Sequence, residues 1–144
     1  MLATGSGDGT ARIWRLPSTT KASDDAATLR DSIVLECCSG DQGKDVTCLE
    51  WHPDGQLLAT GGYDGQARIF TRTGTVKFVM TKHSGPIFSL KWNKKGDVLL
   101  TGSVDKTAIC WDAMTGEIRQ QFCFHTGAFL LPPSRYSFVL VRPV

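Results

Sequence analysis

A chain of 144 residues with a net charge of +2 and 41% hydrophobic residues suits one soluble globular domain and lacks the basic excess of a nucleic-acid surface. Its five cysteines are odd in number, include the adjacent pair Cys37-Cys38 and contain no Cys-x-x-Cys, so neither a disulfide framework nor a zinc site is expected. No secretory leader is seen at "MLATGSGDG" and no apolar run nears the roughly 20 residues that span a bilayer, so the expected setting is a reducing cytoplasm or nucleus, off the membrane.

The first elements surround "GSGDGTARIW", Gly5 to Trp14. Its glycines could cradle a phosphate or turn the chain between strands. A nucleotide loop needs glycines at G-x-G-x-x-G or G-x-x-x-x-G-K spacing, running from a strand into a helix. Here "ARIW" follows, short and without helical period. The stretch also recurs: "LATGSGDGTARIW" (Leu2–Trp14) returns as "LATGGYDGQARIF" (Leu58–Phe70) and "LLTGSVDKTAICW" (Leu99–Trp111). A phosphate loop has no reason to repeat in register. Leu2–Ser6 and Thr10–Arg15 therefore read as a hairpin. Asp8-Gly9, like Asp64-Gly65, predicts a type I′ turn, whereas Lys106 in the third copy predicts a turn of another type.

The aromatic that ends each copy moves from Trp14 to Phe70 to Trp111, steps of 56 and 41 residues. A period of about 40–45 residues with a terminal aromatic marks a four-stranded propeller blade. The first step is 15 residues longer, and the polar stretch Pro17–Ser32 reads as the inserted loop. "SIVLE" (Ser32–Glu36) then supplies an outer strand. Blade two takes Asp45–Trp51, Leu57–Gly62, Gln66–Arg72 and Thr75–Met80, with "HPDG" as a turn that accounts for His52 without a ligand role. Blade three takes Pro86–Trp92, Val98–Ser103, Thr107–Asp112 and Glu117–Cys123. The basic cluster "KWNKK" reads as a solvated strand end and turn.

The fold class expected is all-β, a β-propeller fragment of about two and a half four-stranded antiparallel blades whose ring does not close. The propeller part spans residues 1–127, with blades at roughly 1–36, 45–80 and 86–123, followed by a non-repeat tail at 128–144. His125 opens a fourth repeat, but no strand and no matching aromatic follow it. Closed propellers carry four to eight blades. The chain therefore reads as a fragment or abbreviated product, and as a poor autonomous domain with unpartnered outer faces.

"WD" at Trp111-Asp112, with "KHSG" at Lys82–Gly85 and Asp105 between, resembles the WD-repeat pattern. In that family a histidine, a hydroxyl, the turn aspartate and the strand aromatic form a buried structural tetrad. The resemblance assigns these parts to His83, Thr101, Asp105 and Trp111, with Ser103 as the other candidate hydroxyl. A His, a hydroxyl and an Asp also suggest a hydrolase triad, but the order and spacing fit the structural network, and nothing marks an oxyanion hole. No catalytic, cofactor-binding or metal residue is expected. In blade two Gln42 aligns with His83 and Phe70 with Trp111, which leaves Asp64 and Thr60 and predicts a weaker or absent network.

"KDVTCLEW", "GPIFSLKWNKKGDVLLTGSVDKTAICWDAMTGEIRQQFCFHTG" and the Asp-Gly repeats resemble the transducin beta-like group of F-box-like/WD-repeat proteins. The resemblance covers roughly residues 2–127. It implies a non-catalytic interaction scaffold in a nuclear corepressor and histone deacetylase complex that regulates transcription. Its partners would be subunits of that complex, with histones a further candidate, and no nucleic acid, membrane or small-molecule substrate is expected. The rim residues expected to meet a partner are Tyr63, Lys82 and Val104, Tyr63 first because it is large and amphipathic. A substrate-recruiting subunit of a ubiquitin ligase, or a truncated product without independent function, are the alternatives.

Overall fold

The computed structural model describes residues 1–15, 32–38 and 45–123. The inserted loop as far as residue 31, Gln42, His125 and the tail 128–144 lie outside the described residues. Within them every regular element is a strand, and the strands form three antiparallel sheets in chain order. The first sheet holds β1 (Leu2–Gly5), β2 (Thr10–Trp14) and β3 (Ser32–Glu36). The second holds β4 (Val46–Trp51), β5 (Leu57–Gly62), β6 (Ala67–Thr71) and β7 (Val76–Met80). The third holds β8 (Ile87–Trp92), β9 (Val98–Ser103), β10 (Thr107–Asp112) and β11 (Ile118–Cys123). Stacked side by side in chain order, the three sheets have the form of propeller blades, and among the described residues they do not close a ring.

Blades stack through their inner strands: β4 lies against β8, β5 against β8, and β1 against β4. Alternation along each strand feeds two cores. Leu58 and Phe70 pack with Ala11, Ile13, Leu35 and Cys37 of blade one. Ala59, Ala67 and Ile69 pack instead with Ile87, Leu90, Leu99, Ile109 and Trp111 of blade three. Blade two is thus apolar on both faces, which explains strands that read as apolar runs rather than clean alternations. Ile13, Leu58, Ile69, Ile87, Leu99 and Ile109 have no exposed surface, and each such side chain contributes roughly 1.5–3 kcal/mol through its burial. The stability of the stack therefore resides in the seams.

Polar contacts close the seam between blades two and three at the end where β4 and β8 finish. Glu50 on β4 accepts from the Trp92 backbone N–H at 2.7 Å and pairs with Lys91 Nζ at 2.5 Å, while Trp92 Nε1 donates to the Glu50 carbonyl at 3.2 Å. His52, in the turn after β4, reaches across to the Gly96 carbonyl with Nε2 at 2.9 Å and meets the Trp92 ring edge-on. Its role extends beyond its own turn, which "HPDG" read alone does not disclose.

The Asp-Gly turns differ from the type I′ expectation. In each, three loop residues separate the last paired residues: Ser6 N bonds Thr10 O at 3.0 Å, and Gly62 N bonds Gln66 O at 3.1 Å. Only the third loop residue has positive φ, at 88° for Gly9 and 76° for Gly65, while Asp8 and Asp64 do not. This is a type I turn closed by one left-handed residue. Lys106 occupies that same place with φ 68°, so the third copy makes the same turn with a non-glycine residue in it. In all three copies the aspartate staples the turn, its Oδ1 accepting from the backbone N–H of Thr10, Gln66 or Thr107 at 2.9–3.0 Å.

Candidate functional site

The residues assigned to the tetrad come from four places in blade three: the loop before β8, the middle of β9, the β9–β10 turn, and β10. Trp111 Nε1 donates to Thr101 Oγ1 at 2.8 Å. Thr101 Oγ1 lies 2.8 Å from His83 Nε2, and His83 Nδ1 lies 2.9 Å from Asp105 Oδ2. With the imidazole proton on Nδ1, each group donates once toward the next and the chain ends on the carboxylate. Asp105 also accepts from Ser84 N at 3.0 Å and from Thr107 N and Oγ1 at 2.9 and 2.7 Å. Burial by itself would raise the Asp105 pKa, but the hydrogen bonds from Thr107, His83 and Ser84 together outweigh it and hold the carboxyl below its ordinary range.

Thr101 is completely buried and the His83 side chain has no exposed surface. A nucleophile needs an approach path for substrate, and this hydroxyl has none. Ser103, the other candidate hydroxyl, stands outside the network: its Oγ donates to the Gly85 carbonyl at 2.8 Å and accepts from Asp105 N at 3.1 Å. Cys38 and Cys48 are no better placed for nucleophilic work. Burial pushes the Cys48 thiol up to about 11, and burial with the nearby Asp64 charge does the same to Cys38.

Blade two carries a network after all. Thr60 and Phe70 are buried where Thr101 and Trp111 stand in blade three, and the phenyl ring donates nothing. The turn aspartate finds a different donor: Arg68 Nη2 bonds Asp64 Oδ2 at 2.8 Å and Gln66 Oε1 at 2.9 Å. Both charged side chains are nearly buried, at 7% and 11% exposure, so this pair is shielded from solvent screening. Arg68 thus stands in for the histidine toward the carboxylate. The sequence does not single it out, since Arg12 holds the same place in blade one and is exposed there.

The loop before β8 also rests on blade two. A Cβ built at Gly65 would lie 3.0 Å from the carbonyl oxygens of both His83 and Gly85, so the next blade's loop sits directly on this glycine. The rim residues lie beside that contact. Tyr63, Lys82 and Val104 are all exposed, Tyr63 at 45% and Val104 at 54%. Tyr63 meets the ring of Phe88, itself 47% exposed, edge-on with centroids 6.4 Å apart.

The family model described as "WD domain, G-beta repeat" matches residues 1–15, 33–71 and 74–112. The chain belongs to the WD-repeat family. Among relatives, the F-box-like/WD repeat-containing protein TBL1X of Mus musculus is 51% identical over 130 residues, covering 90% of this WD-repeat chain and 25% of that protein. The WD40 repeat-containing protein HOS15 of Arabidopsis thaliana is 51% identical over 133 residues, covering 90% and 22%. The chain thus spans about a quarter of the length of the curated relatives it matches. Among solved structures, the C-terminal WD40 domain of Sif2 superposes with a TM-score of 0.67 at 29% identity, covering 83% of this chain and 32% of that one.

Within this WD-repeat frame, Phe88 is the functional candidate that sequence reasoning missed. In "PIFSLKW" it reads as one more apolar strand residue. The register of β8 against β9 shifts between Ile87 and Ser89, and this bulge turns the Phe88 ring out to solvent. Thr47 holds the corresponding bulge of β4 in blade two, where its hydroxyl donates to the Gly61 carbonyl at 2.9 Å and also contacts the Ile87 carbonyl.

Proposed function

We propose that this chain is a non-catalytic protein-interaction scaffold acting in the nucleus, as part of a transcriptional corepressor assembly with histone deacetylase subunits. The observation that carries the reading is the 51% identity to the TBL1X protein across 90% of the chain. That identity far exceeds what a shared propeller alone requires, as the 29% of the superposed Sif2 domain illustrates. The tetrad of blade three supports the reading physically: its hydroxyl and imidazole are enclosed, and it fixes the loops that present Lys82 and Val104. Tyr63, Lys82 and Val104 are the contact residues under this proposal, with histones or complex subunits as their partners. Affinity purification of the tagged chain from nuclear extract, followed by mass spectrometry, tests it. Histone deacetylase and corepressor subunits are the expected co-purifying proteins. Recovery of ubiquitin-ligase subunits in their place, or of neither class, would overturn the assignment.

A further inference from the structure

An exposed apolar patch crosses the seam between blades two and three at the rim. Tyr63 stands on the β5–β6 turn, Phe88 on the bulge of β8 and Val104 on the β9–β10 turn, exposed by 45%, 47% and 54%. They are held as one surface. The two rings meet edge-on, and Val104 N donates to the Pro86 carbonyl at 3.1 Å, next to the bulge. A Cβ built at Gly85 would lie 2.9 Å from Val104 Cγ2, so the valine packs directly against the loop that leads to Phe88. Two aromatic rings and a branched aliphatic side chain, fixed by backbone bonds rather than by a mobile loop, have the composition of an interface anchor site.

The charges around the patch identify the partner. The loop of residues 82–86 runs beside the turn of residues 103–106, joined by Ser84 N to Asp105 Oδ2, Ser103 Oγ to Gly85 O and Val104 N to Pro86 O. Lys82 and Lys106 therefore lie along the same edge, both exposed, and among the described residues neither pairs with a carboxylate. Among the described residues the nearby acids are engaged or turned away. Asp64 is held by Arg68, and Asp105 by His83, Ser84 and Thr107. Asp45 points its Oδ1 at Gly7 of blade one, 3.1 Å from where a Cβ would stand. Among the described residues the patch thus presents apolar surface edged by two exposed lysines, with the Asp105 charge between them enclosed at 8% exposure. A second copy docking through the same patch would add two further lysines to its margin, and that like-charge repulsion disfavours self-association here.

Building on the interaction-scaffold reading, we propose that Tyr63, Phe88 and Val104, flanked by Lys82 and Lys106, dock an acidic linear segment of a partner protein that carries an apolar anchor side chain between carboxylates. The anchor fills the corner formed by the two rings and Val104, and the carboxylates face the lysines. The bulge matters because it aims Phe88 at the segment; blade two, with Thr47 at its bulge, offers no second ring.

Fluorescence anisotropy of the full chain with short fluorescein-labelled peptides tests this. One peptide carries a leucine between glutamates, a second has lysines for the glutamates, and a third has serine for the leucine. The first is expected to bind, and the other two about tenfold more weakly or less. Phe88→Thr installs the residue that blade two carries at its own bulge, and should lower affinity for the first peptide about tenfold with an unchanged circular dichroism spectrum. Lys82→Glu/Lys106→Glu should invert the preference, so that the lysine peptide binds better than the glutamate one. Absence of binding by the first peptide, equal binding of the first two, or indifference to both variants overturns the proposal. The outcome is separable from the corepressor assignment: peptide binding without deacetylase recovery leaves the patch standing and removes that assignment, and deacetylase recovery without peptide binding does the reverse.

Discussion

Lys106→Gly is expected to stabilise the chain. Lys106 sits at φ 68° in a turn whose two sister copies place glycine there. A non-glycine residue held in the left-handed region loses roughly 1–2 kcal/mol against the preferred backbone. Glycine removes that strain but gives the unfolded chain more freedom, a loss of roughly 0.5–1 kcal/mol. The side chain makes no hydrogen bond or ion pair among the described residues, and the Lys106 N to Ser103 O bond at 3.3 Å belongs to the backbone, so nothing else is forfeited. The difference favours the variant by about 0.5–1 kcal/mol, or about 1–4 °C in melting temperature for a chain of this size. Urea denaturation and thermal melting of wild type and variant side by side provide the measurement. A variant that is equally stable or weaker would mean that Lys106 does not occupy the left-handed slot, and would undo the equivalence of the three turns.

The remaining expectations are directional. His83→Ala removes two hydrogen bonds from a fully enclosed site and should cost about 2 kcal/mol of stability by denaturant titration, with amide exchange accelerated in β8–β10 rather than in β2–β3. Gly96→Ala places a Cβ within 1.9 Å of His52 Nε2 at φ 76° and should cost about 2–3 kcal/mol, with part recovered in the double variant with His52→Ala. Because the folded pKa of Asp105 lies below its unfolded value of about 3.9, its contribution is present above that value and is lost as pH falls through the folded one. Stability measured from pH 5 downward should therefore decline less steeply in Asp105→Asn than in wild type.

The architecture was legible because periodicity is a strong local signal. A 41-residue step between Phe70 and Trp111, matched turns and β-rich runs located strands to within a residue or two. The turn geometry was misread for a specific reason. Asp-Gly between strands is the mark of a two-residue hairpin, but here the residue before the aspartate also belongs to the loop, and only the last position turns left-handed. What remained hidden depends on contacts across blades or on the fate of one side chain. Arg68 and Arg12 share a repeat position, yet one is buried against Asp64 and the other is exposed. His52 meets Gly96 only once two blades stack, and Phe88 faces outward only because β8 is bulged.

The close fit of Gly65 beneath the His83 loop gives the repeat array a direction in which damage travels. Blade two supplies a smooth floor on which blade three lays the loop carrying its histidine. A side chain introduced at Gly65 would leave the Asp64–Arg68 pair of its own turn in place while lifting the His83 and Gly85 carbonyls that rest on it. The injury would surface downstream, as a loosened Asp105 and Trp111, with blade one unaware of it. Variants in such arrays are thus better grouped by the neighbour they support than by the repeat in which they are numbered.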